Sequence, residues 1–149
     1  MASGGDAGGA GGMMVLGAIT SQFEAGLAML DGCLAACPDE LWDGQPPRTV
    51  AKYPFWMVAY HTLCFVDCYL SRSNAAFVLR TEGEDGYPPL HPKGIAELEE
   101  EYPSRRFERE ELRRYVRICV EKLRRVVAAE TEGTLGATAG FEWLKMSRL

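Results

Sequence analysis

His61 is one of two histidines in 149 residues, and it lies in the most apolar stretch of the chain. Cys64 follows at i+3, Phe65 at i+4 and Cys68 at i+7, all on the same side of a helix. Imidazole nitrogen beside thiolate sulfur is a donor set that suits zinc-type ions. The same pattern fits a core histidine with a satisfied hydrogen bond. His61 and Cys68 lie about 10 Å apart along a helix axis, so one ion cannot take all three groups and would need ligands from elsewhere. Cys64 is therefore a second, weaker candidate ligand beside His61. His91, in an HPKG stretch, is expected to face solvent.

Cys33/Cys37 and Cys64/Cys68 form two C-x-x-x-C pairs. The redox spacing C-x-x-C is absent, and antiparallel helices would not bring the two pairs level. They are expected to be buried small hydrophobes. Arg105, Arg109, Arg113 and Arg117 recur at i,i+4 and form a basic stripe. It fits either an anionic ligand or a solvated face balanced by nearby acids. The acidic turn Glu97, Glu99, Glu100 and Glu101 matches no calcium loop, and no phosphate-binding or nucleophile-elbow motif is present.

Helices must position these groups. Residues 1–12, MASGGDAGGAGG, hold too little apolar surface to offset ordering entropy and are expected to be a disordered tail ahead of one domain, 13–149. No basic segment precedes an apolar one there, which argues against a signal peptide. Leu16, Ile19, Phe23, Leu27, Leu30, Leu34 and Cys37 define the stripe of a first helix that Pro38 ends. A proline-rich connection follows, with Leu41 and Trp42 expected to anchor on the core. Phe55–Leu70 is apolar nearly all round and predicts a buried central helix continuing to about Val78. It is too short to span a membrane, which takes roughly 20 apolar residues. Residues 80–103 predict a long loop, and Ser104 an N-cap for a third helix from Arg105 to about Glu130. Leu112, Tyr115, Val116, Cys119, Leu123, Val126 and Val127 form its apolar stripe. Charge pairs at i,i+4, such as Glu121 with Arg125, are expected on its outer face.

The net charge of -5 argues against bulk nucleic-acid or anionic-membrane binding. Five cysteines, an odd number, fit reduced thiols in the cytoplasm better than a disulfide framework.

The segment Phe55 to Leu63 followed by Asp67-Cys68-Tyr69-Leu70 resembles the DinB-like family of four-helix bundles, as do Leu41-Trp42 and the basic stretch Arg113–Arg125. The resemblance spans roughly Val15 to Leu149. It implies an all-α up-down bundle, often dimeric, in which three histidines hold a divalent metal such as zinc or nickel. His61 matches the histidine of the second helix, whereas the other two belong to a fourth helix. The sequence stops at Leu149 before such a helix, so His61 is expected to stand alone and to bind metal weakly. Two functions are then in play: a relative of metal-dependent hydrolases and thiol transferases with an incomplete site, or a non-catalytic module that acts by association. A second helix that is apolar all round further predicts an uncovered groove beside His61 and self-association.

Overall fold

The computed structural model describes residues 7–44, 53–78, 106–137 and 140–141. These form six helices: α1 (Ala7–Ala36), α2 (Asp39–Trp42), α3 (Phe55–Leu70), α4 (Asn74–Val78), α5 (Arg109–Ala128) and α6 (Glu132–Leu135). No strand occurs among the described residues, only an isolated bridge between Ser73 and Gly140. The fold is all-α. His91, Arg105 and the predicted loop 80–103 lie outside the described residues.

α1 begins six residues before the expected boundary, within the glycine/alanine stretch. Four of these six residues are glycine, a poor helix former, so the extra turns are continued from a helix already nucleated and packed at Leu27 and Leu34 rather than favoured by their own propensity. Pro38 stops it, as expected, and stands as N-cap of α2. That single turn seats Trp42, which is buried and donates its indole N–H to the Phe107 carbonyl oxygen at 3.1 Å. Leu41, expected to share this anchor, is exposed instead.

α3 ends at Leu70 rather than near Val78. Ser71 is its C-cap, and Arg72 turns into the left-handed region with φ 66°. The Arg72 guanidinium reaches Glu130 at 2.8 Å and ties this corner to the end of α5. Gly140 passes so close that a Cβ there would strike the Arg72 carbonyl oxygen. Glycine is therefore required where the C-terminal segment brings Phe141 onto Tyr69.

α5 starts at Arg109, not Arg105. Phe107 is held in the core, stacked on Tyr60 at 4.4 Å, which keeps the backbone there out of the helix. Glu108 and Glu111 then close a reciprocal capping box. The predicted stripe is buried from Leu112 through Tyr115, Val116 and Cys119 to Leu123, whereas Val126 and Val127, in its last turn, are only half-buried.

The central helix is α5, not α3. α5 packs extensively against both α1 and α3, which touch each other little. Arg109, Arg113 and Arg124 reach Ala35, Asp31 and Glu24 in turn, so α1 runs antiparallel to α5. Phe107 meets Tyr60 and Lys122 meets Asp67, so α3 runs parallel to it. Parallel neighbours cannot be joined by a tight turn, and 38 residues separate the end of α3 from the start of α5.

Candidate functional site

His61 lies on the flank of α3, half-buried, with its ring edge-on to Phe65 at 4.6 Å. Phe65 continues to Tyr69, and Tyr69 to Phe141, as a ladder of ring contacts along one side of the helix. Cys64 is buried one turn along. Among the described residues no three His, Cys, Asp or Glu side chains converge as a metal-binding set. The structure thus places His61 and Cys64 on one helix and brings no third donor to them within that part of the chain. The apolar strip beside His61 includes Val58 and Tyr69, both more than two-fifths exposed.

No disulfide joins any of the five cysteines. Cys64, Cys68 and Cys119 are buried as expected, whereas Cys33 is exposed on the outer side of α1 and Cys37 is intermediate. Burial, with the neighbouring Asp67 carboxylate, pushes the Cys68 thiol up to about 11. Burial also raises Cys37.

The densest polar cluster is one that residue spacing does not reveal. Asp67 is fully buried between α3 and α5. Tyr115 donates its hydroxyl to Oδ2 at 2.7 Å, and Lys122 donates from Nζ to Oδ1 at 2.6 Å. Lys122 also donates to the Asp67 carbonyl oxygen at 3.0 Å and to Ser71 Oγ at 2.5 Å. Ser71 in turn donates to the Asp67 carbonyl oxygen at 2.8 Å. An ammonium has three protons, and all three of Lys122's have acceptors. Both carboxylate oxygens of Asp67 have donors. A serine beside a lysine also occurs in nucleophilic sites, but here the hydroxyl proton is directed at the backbone and the lysine at a carboxylate. The arrangement is a saturated clamp that fixes α3 on α5 and places a cation over the last carbonyls of α3. A signal for it was present: Asp67 is the sole formally charged residue of Phe55–Leu70, and Lys122 the sole lysine of α5. A carboxylate in such a run must find a cation when the helix is buried.

The basic stripe of α5 has a second destination. Arg109 donates to the carbonyl oxygens of Leu34 and Ala35, pairs with Asp39 at 2.8 Å, and lies over the Trp42 ring at 5.0 Å. Arg113 grips both carboxylate oxygens of Asp31 at 2.9 and 3.1 Å. That bond holds the Asp31 carboxyl below its usual range. Arg124 reaches Glu24 at 2.6 Å. These arginines close α5 on α1 rather than forming an open anionic site, and Arg113 also meets Glu110 at i,i+3.

This consumes the charge of α1. Glu24 and Asp31, the charged residues of Ala7–Ala36, both turn toward α5. Met13, Met14, Val15, Phe23 and Met29 are exposed. Gly11–Ala36 is long and apolar enough to cross a membrane by length and composition, near the N-terminus of the chain.

No protein-family model, curated protein or solved structure matches the chain.

Proposed function

We propose that this protein is a helical association module whose working surface is the outer face of α1. One observation carries the reading: α1 directs both of its charged side chains inward to arginines of α5 and leaves large apolar side chains in water. A surface helix normally does the reverse. Exposed apolar area of this kind marks an interaction site. Sedimentation velocity of the full chain over a concentration series tests it. Association is expected with the native chain and its loss with Val15→Glu/Met29→Glu, at unchanged helix content. A native chain that sediments as a monomer at every concentration and leaves apolar-sensitive dye unbound overturns the reading.

A relationship to DinB-like bundles belongs to the same proposal and is supported by the sequence of Phe55–Leu70 and by the three long helices. A metal-dependent activity would draw on His61 and Cys64, and two ligands hold zinc or nickel far less tightly than the three or four of established sites. Equilibrium dialysis is expected to leave the full chain with substoichiometric metal. Stoichiometric retention that His61→Ala abolishes would restore the metal-centre reading. Five cysteines without a disulfide among them support a reducing, cytoplasmic setting.

A further inference from the structure

The outer face of α1 has an internal order. Val15, Gln22 and Met29 recur every seven residues, and Ala18, Ala25 and Gly32 recur every seven residues between them. All six are exposed, Val15 at 49% and Met29 at 73%. The spacing alternates three and four, the seam of a coiled coil. One heptad position therefore holds the larger side chains and the other only alanine or glycine. A Cβ added at Gly32 would meet nothing within 4 Å, so the space beside that position is open.

We propose that this face binds a second copy of the same chain, with the two α1 helices antiparallel. The inference rests on the association reading above and names its partner. Two features select the partner and the direction. The face is uncharged, because Glu24 and Asp31 are engaged by Arg124 and Arg113, so a like copy meets no repulsion and no partner of opposite charge is called for. The size alternation is self-complementary in one orientation only. With the two-fold axis between Gln22 and Ala25, Val15 faces Gly32, Ala18 faces Met29 and Gln22 faces Ala25, so every layer sets a large residue against a small one. A parallel pair would set alanine against alanine and glycine against glycine, leaving gaps. Small residues opposite large ones also let the helix axes approach closely, and antiparallel dipoles oppose one another favourably.

The area sets the strength. Residues 11–36 make a face about 39 Å long. Two such faces bury on the order of 1,000 Å² in total, at the lower edge of what a specific dimer needs. The dimer is accordingly a reversible one, formed at micromolar concentration and lost on dilution.

Cysteine cross-linking of the full chain in a Cys33→Ser background tests the geometry, since every changed position is exposed. An equimolar mixture of Met29→Cys and Ala18→Cys chains is expected to form disulfide-linked dimer under mild oxidation. Met29→Cys alone is expected to form little, because antiparallel pairing holds the two thiols about 16 Å apart along the axis, beyond disulfide reach. Efficient cross-linking of Met29→Cys alone would mean a parallel pair and would overturn the inference. A dimer by sedimentation that Val15→Glu/Met29→Glu abolishes, yet that links in neither case, would keep the association reading and overturn this pairing. A chain that stays monomeric overturns both readings. A chain that instead floats with neutral phosphatidylcholine vesicles, without dimer in solution, replaces the second copy by a bilayer and overturns the pairing.

Discussion

α5 carries two seams of opposite character. Toward α3 it presents an apolar stripe with one polar clamp inside it, where Asp67 is fully buried and every bond of Lys122 is satisfied. Toward α1 it presents arginines that reach carboxylates at the edge of the interface, around a smaller buried strip formed by Leu27 and Leu34. The first seam isolates its charges from water, so each is costly to leave alone. The second keeps its charges wet, so each is worth little singly. One helix thus holds α3 in a unique register and holds α1 by a looser clasp. The inward turn of that clasp is also what leaves the outer side of α1 apolar.

The sharpest way to break this contrast is to remove the buried carboxylate. Asp67→Ala removes the counter-charge of Lys122 and the carboxylate oxygen that Tyr115 donates to, leaving Lys122 a buried cation with only neutral acceptors, and should cost about 3–5 kcal/mol in urea unfolding. Asp67→Leu with Lys122→Met replaces the pair by apolar bulk and should recover most of that loss. If Asp67→Ala costs no more than an exposed pair, the clamp does not set the seam.

The next effect is read in alkali, through the thiol beside the clamp. Cys68 titrates near 11 in the fold against an ordinary value of 9.0. Its folded pKa is raised, so the stability it contributes is complete below pH 9.0 and is lost as pH rises toward 11. Stability should therefore fall more steeply over that window in the native chain than in Cys68→Ala. Equal slopes would place Cys68 in a wetter seam than the structure shows. The same comparison has a kinetic form: Cys33 should react with a thiol reagent at once at pH 8, and Cys68 only as fast as the protein opens.

The smallest effect belongs to the outer clasp. Arg113→Ala removes a bidentate pair with Asp31 whose two side chains are each about one-third exposed, and should destabilise the fold far less than Asp67→Ala, as solvent-screened pairs do. Asp31 has a lowered pKa, so its contribution is full above 3.8 and declines as pH falls through the lower folded value. Acid titration of stability should show this term in the native chain and lose it in Arg113→Ala. A cost as large as that of Asp67→Ala would erase the difference between the seams.

Helix identity was legible wherever local spacing carries the information. The stripe from Leu112 to Leu123 is buried as its period requires, and Pro38 ends α1 where proline must. Boundaries were less legible where a distant contact overrides local preference. Ser104 is a good N-cap by type, yet α5 starts after Phe107 because that ring is held by Tyr60, 47 residues earlier in the sequence. The run from Phe55 predicts one continuous helix, yet Arg72 leaves it to reach Glu130 across 58 positions. The candidate donors His61 and Cys64 were readable as residue types, but a metal set is a matter of convergence, and spacing along one helix cannot supply a third ligand from another.

What the sequence by itself determined is therefore periodic: which stretches are helical and which stripe of each is apolar. What only the tertiary structure decided is direction and partnership. It made α5 central instead of the more apolar α3, joined Asp67 to groups 48 and 55 residues away, and turned Glu24 and Asp31 inward. The reason is physical. A helix's period follows from 3.6 residues per turn and is written locally. Which of two apolar faces meet, and which cation neutralises a buried carboxylate, depends on groups that become neighbours only once the chain has folded.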